Sequence, residues 1–225
     1  MVTASTGEFP RAVSSGVAES AGRLGVEVIS TSNFPASAND FTLVLDGLQT
    51  VNPDVIVAVG RVRNDLNICS QLVARGFRAG SVVAAAAGIQ QFRDHMGTSA
   101  DGFVGPSQWE PLAQSSPDFG PSSEQVIASL SHDDLRHIDY PMAQSYAAGL
   151  VVERCLADAG CSDSLALRKA AERLRFSTFY GNFEIDGRTG RQIGRETLLV
   201  QWQHERKVIV WPPEQANSVF LYPWR

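Results

Sequence analysis

The stretch Gly60-Arg61-Val62-Arg63 sets two guanidinium groups two positions apart, directly after an apolar run. A guanidinium is a planar fork of donors that matches a carboxylate, so Arg61 can pair with the acid group of a bound solute. A solvated loop arginine near a helix N-terminus is the alternative reading. The rest of the chain carries no spacing that implies bond-making chemistry. There is no Gly-x-Ser-x-Gly elbow, phosphate loop or dinucleotide fingerprint, and the carboxylates show no paired spacing of the glycosidase kind. His95, His132, His137 and His204 form no cluster; His132 and His137 flank Asp133-Asp134-Leu135-Arg136, which reads as a charged, solvated turn. Cys69, Cys155 and Cys161 lack metal-binding spacing. Cys69 reads as a buried, inert thiol. Cys155 and Cys161 read as free thiols, able to bridge only in an oxidising compartment.

Strand, loop and helix must position Gly60–Arg63. Asp54 to Val59 is almost continuously apolar and β-branched, as expected of a strand covered on both faces. Gly60 ends it, Arg61 to Arg63 form the connection, and Asn64 or Asp65 can cap the next helix. Leu66, Cys69, Leu72 and Val73 share one face of that helix, which Gly76 stops. In an open parallel sheet, ligands sit beyond the carboxyl ends of strands, which makes Gly60–Arg63 the first place to look for function.

The neighbouring segments repeat the theme. Pro10 starts a helix striped by Phe9, Val13, Val17, Ala21 and Leu24 and closed by Gly25. Val26 to Ser30 reads as a strand and residues 31–38 as a polar loop. Asn39 or Asp40 caps a helix with Phe41, Val44, Leu45 and Leu48 inward. Ser81 to Ala87 is another buried-strand candidate, followed by a short helix with Ile89, Phe92 and Met96 inward and a short strand at 102–104. Alternation of this kind is the signature of a Rossmann-like, doubly wound parallel sheet in an α/β fold. Residues 105–121 are rich in Pro, Ser and Gly and read as a linker or crossover. Helical patterns follow at 124–130, 141–159 and 164–174. Asp186-Gly187 signals a hairpin turn, and residues 196–203 and 207–211 read as two strands joined by His204-Glu205-Arg206.

With 225 residues and 44% hydrophobic content, the chain can bury a sizeable core. A net charge of −5 with no basic run argues against nucleic acid as partner. No apolar run reaches 18 residues, so none reads as a membrane span. The first ten residues lack a signal-peptide pattern, which places the chain in the cytoplasm if residue 1 is the natural start.

The order of several stretches resembles the C-terminal two-thirds of a type I periplasmic binding protein, of the branched-chain amino acid (Leu/Ile/Val) ABC-transporter receptor class. They are Phe9-Pro-Arg-Ala-Val with Ala21-Gly-Arg-Leu-Gly, and Asn39-Asp-Phe followed by Asn52-Pro-Asp-Val-Ile. Asp139-Tyr-Pro-Met-Ala-Gln-Ser-Tyr-Ala-Ala-Gly-Leu with Ala157-Asp-Ala-Gly comes next, then Phe179-Tyr-Gly-Asn-Phe-Glu-Ile-Asp and Gln201-Trp-Gln. The resemblance implies a two-lobed clamp: residues 1–118 as most of the second lobe, 119–190 as an incomplete, mainly helical part of the first, and 191–225 returning to the second. Nothing here corresponds to the family's opening βαβα segment, so the resemblance implies an N-terminally truncated chain. Helices 141–159 and 164–174 would then lack a sheet to cover, and such faces mark an interface, as in a homo-oligomer or dimer.

Carried over by resemblance, the ligand-binding residues are Gly60, Arg61 and Arg63, then Ala87, Gly88 and Gln90, with Trp109. Gln90 can equally be a plain surface glutamine, and Trp109 fits packing beneath the crossover better than stacking on a ligand. The family implies a solute receptor in the periplasm or outside the cell, working with an ABC permease on a small polar ligand such as an amino acid. It implies no catalysis, cofactor or metal. The alternative is a cytoplasmic ligand-sensing domain of the same fold; an α/β enzyme would need a hidden catalytic constellation at the Gly60 and Gly88 loops.

Overall fold

Short β-branched runs alternate with amphipathic helices along most of the chain. The computed structural model describes residues 1–130 and 138–224. In chain order the elements are β1 (Val2–Ala4), α1 (Glu8–Leu24), β2 (Ser32–Phe34), α2 (Thr42–Val51), β3 (Val55–Val59), α3 (Val62–Ala74), β4 (Ser81–Ala84), α4 (Gln90–Met96) and β5 (Val104–Ser107). They continue with α5 (Ser123–Leu130), α6 (Tyr140–Ala159), α7 (Ser164–Arg173), β6 (Phe176–Thr178), β7 (Gly181–Phe183), β8 (Leu198–Gln203) and β9 (Arg206–Trp211). Two units divide the chain: Met1–Pro106 with the residues from Leu199 on, and Ser107–Leu198. The expected divisions at 118 and 190 differ from these. Residues 107–119 go with the second unit, where Asp118 and Phe119 donate their backbone N–H groups to Ser177 O.

The first unit is built on one sheet in the order β2-β1-β3-β4-β5-β8-β9. Strands β1 to β5 pair in parallel, and β8 and β9 form an antiparallel hairpin. The sheet is thus mostly parallel, as the alternating pattern predicts. Its core joins Leu45 and Leu48 of α2, Ile68 and Leu72 of α3 and Phe92 of α4 to Ile56 and Val82 of the strands. By contrast α1 buries only Pro10.

Two strands at the start of the sheet differ from the sequence expectation. Val2–Ala4 is a strand that the sequence reading does not include. Val26–Ser30, expected as a strand, is not one; β2 lies further on, at Ser32–Phe34. The ladder pairs Val2 with Ser32 and with Ala58, and Met1 carries it one step further by donating to Ser30 O at 2.7 Å, while residues 26–29 stay outside it. Val26, Val28 and Ile29 are accordingly exposed despite their β-branched side chains. The third strand, expected over Ser81–Ala87, ends at Ala84, and Ala85–Gly88 turns into a 3₁₀ turn. The strand expected at 102–104 begins instead at Val104.

At the other end, Gln201 and Gln203 point their amides inward and strap down the C-terminal segment. Gln201 Oε1 accepts from Leu221 N at 2.9 Å while its Nε2 donates to Gly102 O and Leu221 O. Gln203 Nε2 donates to Val219 O at 2.8 Å. Trp224, packed edge-on against Phe103, ends the described chain.

In the second unit α6 starts at an Asp139 cap, with Pro141 in its first turn, and stops at a left-handed Gly160. Its inward residues Ala143, Ala147 and Leu150 form one cluster with Trp109, Val126, Phe179 and Tyr180. Cys155 belongs to a second cluster with Ala170, Leu174 and Phe176. The antiparallel pair in this unit is β6–β7, which turns at Phe179-Tyr180. Asp186-Gly187 lies in a second, longer loop closed by the Ile185–Gln192 bridge, where Asp186 Oδ1 accepts from Thr189 N and Oγ1. The turn around His132 and His137 lies outside the described residues.

Candidate functional site

The parallel strands β1, β3 and β4 bring their carboxyl ends to one edge of the first unit. The chain leaves β1 toward β2, then returns past β1 to β3 and continues outward through β4 and β5. The order of the strands therefore reverses between β1 and β3, and the loops flanking such a point form the crevice in which open α/β sheets bind ligands. Those loops are Ser5-Thr6-Gly7 after β1 and Gly60-Arg61 after β3, with the Ala85–Gly88 turn next along the edge.

The β3 loop is shorter than the sequence reading has it. The helix α3 begins at Val62, so Arg63 lies in its first turn and not in the connection. Asn64 Oδ1 reaches back to accept from Arg61 N at 3.2 Å, and its Nδ2 donates to Ala36 O and Ala38 O, both at 3.1 Å. Asn64 is fully buried and ties this helix start to the loop after β2. Gly60 is packed closely: a Cβ there would meet Asn64 Cβ at 2.8 Å, Asp65 Oδ1 at 2.9 Å and the Phe34 ring at 3.1 Å. Arg61 and Arg63 are exposed, and among the described residues no ion pair involves either. The site thus offers two free cations at the positive end of a helix dipole, an arrangement that favours an anion.

Asp65 does not cap the helix. Its Oδ2 accepts from Ala86 N at 2.9 Å, across the gap to the β4 turn. Burial pushes its carboxyl up to about 7, against the pull of the Ala86, Gly60 and Ala85 N–H groups.

Ala87 and Gly88, at that same turn, are buried and their carbonyls are already engaged. Trp202 Nε1 donates to Ala87 O at 2.8 Å and Lys207 Nζ to Gly88 O at 2.9 Å. The backbone of β5 passes so close that a Cβ on Gly88 would lie 1.7 Å from Pro106 O. Gln90 opens α4, half-buried, with Nε2 donating to Asp94 Oδ1.

Of the residues expected to bind ligand, six gather at this edge: Gly60, Arg61, Arg63, Ala87, Gly88 and Gln90. Trp109 belongs to the second unit, fully packed and edge-on to Phe179 at 5.8 Å. Ser5 and Thr6 stand at the same edge and are not among the residues the sequence reading expects there. Their signal is present: Val2-Thr-Ala followed by Ser-Thr-Gly and a helix containing Pro10 is itself a strand–turn–helix pattern.

The second unit holds a cavity of about 350 Å³ lined by Ala147, Val151, Tyr180, Asn182, Phe183 and Arg195, among others. The Arg195 guanidinium lies 3.9 Å above the Tyr180 ring and donates through Nη1 to Tyr180 O at 2.6 Å. Among the described residues no group of His, Cys, Asp and Glu gathers with the makings of a metal site.

A family model described as periplasmic binding protein matches residues 1–207. Among curated proteins none matches the sequence. A leucine binding protein from Thermotoga maritima shares the fold at 18% identity and a TM-score of 0.81, over 92% of this chain and 58% of that one. An ABC-transporter solute binding protein from R. palustris, solved in complex with 4-hydroxybenzoate, aligns at 14% identity and 0.76 over 92% and 57%. An amino acid ABC transporter substrate-binding protein from Pseudomonas fluorescens aligns at 20% identity and 0.74 over 90% and 53%. The chain therefore spans little more than half the length of these solved structures.

Proposed function

The chain belongs to the periplasmic binding protein family, and from that premise we propose that it acts as solute-binding polypeptide for an ABC transporter, taking a small solute that carries a carboxylate, such as an amino acid. The carrying observation is the exposed pair Arg61 and Arg63 at the start of α3, beside the reversal point of the sheet. The solute's carboxylate pairs with these guanidinium forks, and Ser5, Thr6 and Gln90 supply further hydrogen bonds at the same edge. Ala87 and Gly88 shape the floor beside it through their backbone. A branched aliphatic side chain, as in leucine, is the first candidate for the rest of the solute. The polypeptide works in the periplasm or outside the cell and hands its solute to a permease.

The test is calorimetric titration of the chain with L-leucine, L-valine, L-glutamate and 4-hydroxybenzoate. Binding of at least one, weakened tenfold or more by Arg61→Ala (about 1.4 kcal/mol), is the expected result. No heat from any of them, or an unchanged Kd in both Arg61→Ala and Arg63→Ala, overturns the reading.

We also propose self-association through the second unit. Val152 and Leu156 of α6 and Leu165 of α7 stand exposed, and apolar faces of this kind are normally covered. Light scattering on a sizing column should return the mass of two chains; a monomer refutes it.

A further inference from the structure

We propose that Asp65 is a positioning residue for this edge: its carboxylate is the strut that holds the Gly60 loop and the Ala85–Gly88 turn at a fixed separation. The inference deepens the solute-binding reading and rests on it for its functional meaning, though not for its geometry.

The residue is in an unusual place. A first-turn aspartate ordinarily turns back to the free N–H groups of its own helix or out to water. Here Asn64 makes the reach-back bond to Arg61 N, and Asp65 turns inward, fully buried. Its Oδ2 takes the Ala86 N–H from the neighbouring turn. Its Oδ1 lies buried against Gly60 with no closed hydrogen bond, while the N–H groups of Gly60 and Ala85 face the carboxylate. One side chain on the third helix thus touches the backbone that ends β3 and the backbone that ends β4.

A plain apolar contact would fill the same space without the desolvation cost of a carboxyl group. What the carboxyl adds is direction: an ionised group draws N–H donors from both loops toward one point. Protonation places a hydrogen on one oxygen and weakens that pull. The surroundings contain few other charges. From α3 itself the groups near it are Arg63, exposed in the first turn, and Cys69, buried one turn on, whose thiol is pushed well up by burial and by the Asp65 charge. From the β2 side the nearest group at Gly60 is the Phe34 ring, and from the β4 turn the contacts are alanine backbone. Among the described residues no ion pair joins Arg61 or Arg63 to it. Lys207 Nζ sits at the far end of the same turn, on Gly88 O at 2.9 Å. The proton on Asp65 sets the state of the strut in this setting, and the placement of Arg61 relative to Gln90 changes with it.

The experiment needs no solute. Backbone amide resonances of Gly60, Ala85 and Ala86 are followed by NMR from pH 5 to pH 9 in the intact chain and in Asp65→Asn, which keeps the shape and removes the titration. The expected result is a shared titration of these amides, with a midpoint near 7, in the parent and its loss in Asp65→Asn. The ¹³C resonance of the Asp65 carboxyl in the parent chain gives the same midpoint without any substitution, which covers the case in which the variant fails to fold. Amides that stay flat across this range, or that titrate equally in both proteins, overturn the proposal. Because the readout is taken without ligand, a failure here leaves solute binding standing, and a failure of amino acids to bind leaves the strut standing.

Discussion

The same substitution, glycine to alanine, should move stability in opposite directions at two places in the first unit. At Gly88 an added Cβ would sit 1.7 Å from Pro106 O and 2.8 Å from Pro106 C, both backbone atoms that cannot swing aside. Ordinary van der Waals contact begins near 3.4 Å, so the crossing of the β4 turn over β5 would have to open by about 1.7 Å, the difference between those two distances. The crossing is pinned from the other side as well, since a Cβ on Gly105 would meet Gly88 N at 2.3 Å. Opening it also pulls Ala87 O and Gly88 O away from Trp202 and Lys207. Overpacking ordinarily costs about 1–3 kcal/mol, and this case belongs at the top of that range. At roughly 2–4 °C per kcal/mol for a chain of this size, Gly88→Ala should lower Tm by about 6–12 °C. Gly16, in the exposed interior of α1, has nothing within 4 Å of an added Cβ. There alanine simply restricts the unfolded chain and favours helix, for a gain of about 0.5–1 kcal/mol. Thermal unfolding followed by circular dichroism checks both variants. A Tm for Gly88→Ala within 2 °C of the parent (a small fraction of the expected shift), or a fall at Gly16→Ala, would refute the packing argument. In the first case Gly88 would be a glycine for some other reason, with close approach of a ligand the leading one.

Three further outcomes follow from the structure. Asp65 has its carboxyl raised from 3.8 to about 7, so the folded state holds its proton more tightly than the unfolded one; its contribution is present below about pH 4 and is lost as pH rises to 7. The full span is on the order of 4 kcal/mol, and denaturant titrations at pH 4, 5.5, 7 and 8 should show Asp65→Asn lacking that part of the slope. Gln201→Leu removes an amide that serves Leu221 N, Leu221 O and Gly102 O, leaving these part-buried backbone groups without it; a loss of about 1–2 kcal/mol is expected, and limited proteolysis should then cut residues 212–224 faster. Arg195→Lys loses the flat stacking on Tyr180 and the bond from Nη1, so a Tm lower by a few degrees is expected, from roughly 1 kcal/mol; an unchanged Tm would mean the stack contributes nothing.

The sequence made the middle of the sheet readable because each level of signal agreed there. Phe41, Leu45 and Leu48 recur at helical spacing and are buried, and residues 55–59 and 62–74 follow as strand and helix. The β8–β9 pair was also legible, even though its turn is built from His204 and Glu205 at positive φ with no glycine to mark it. Where a segment's partner decides its fate, the pattern failed. Val26-Glu-Val-Ile-Ser has strand composition, yet composition cannot say whether a neighbouring strand lies alongside. The run Ala84–Ala87 has no period at all, so the change from strand to 3₁₀ turn left no trace in it. The hairpin at Phe179-Tyr180 lacks turn residues at its centre, while Asp186-Gly187 carries them and is the stronger local signal.

The candidate site shows the limit in sharper form. Glycine and arginine at 60–63 pointed to the edge proposed here as the site, because a glycine after a buried strand and a cation before a helix are local signals. The reversal point itself is a property of strand order, and β1 is only three residues long, so Ser5 and Thr6 carried no local weight until the order was known. Asp65 is the extreme instance. As a residue type at a helix start it reads as a cap, a role for which one turn of sequence is sufficient evidence. Its actual partner, Ala86, lies 21 positions away and contributes only a backbone N–H, which has no residue identity to recognise. The same holds for Gly88, whose constraint is the backbone of Pro106. Glycines and buried carboxylates that answer to backbone in another loop look, in sequence, like those that answer to a ligand. The Gly88→Ala stability measurement and the Asp65 amide titration are therefore the experiments that separate the two meanings at this edge.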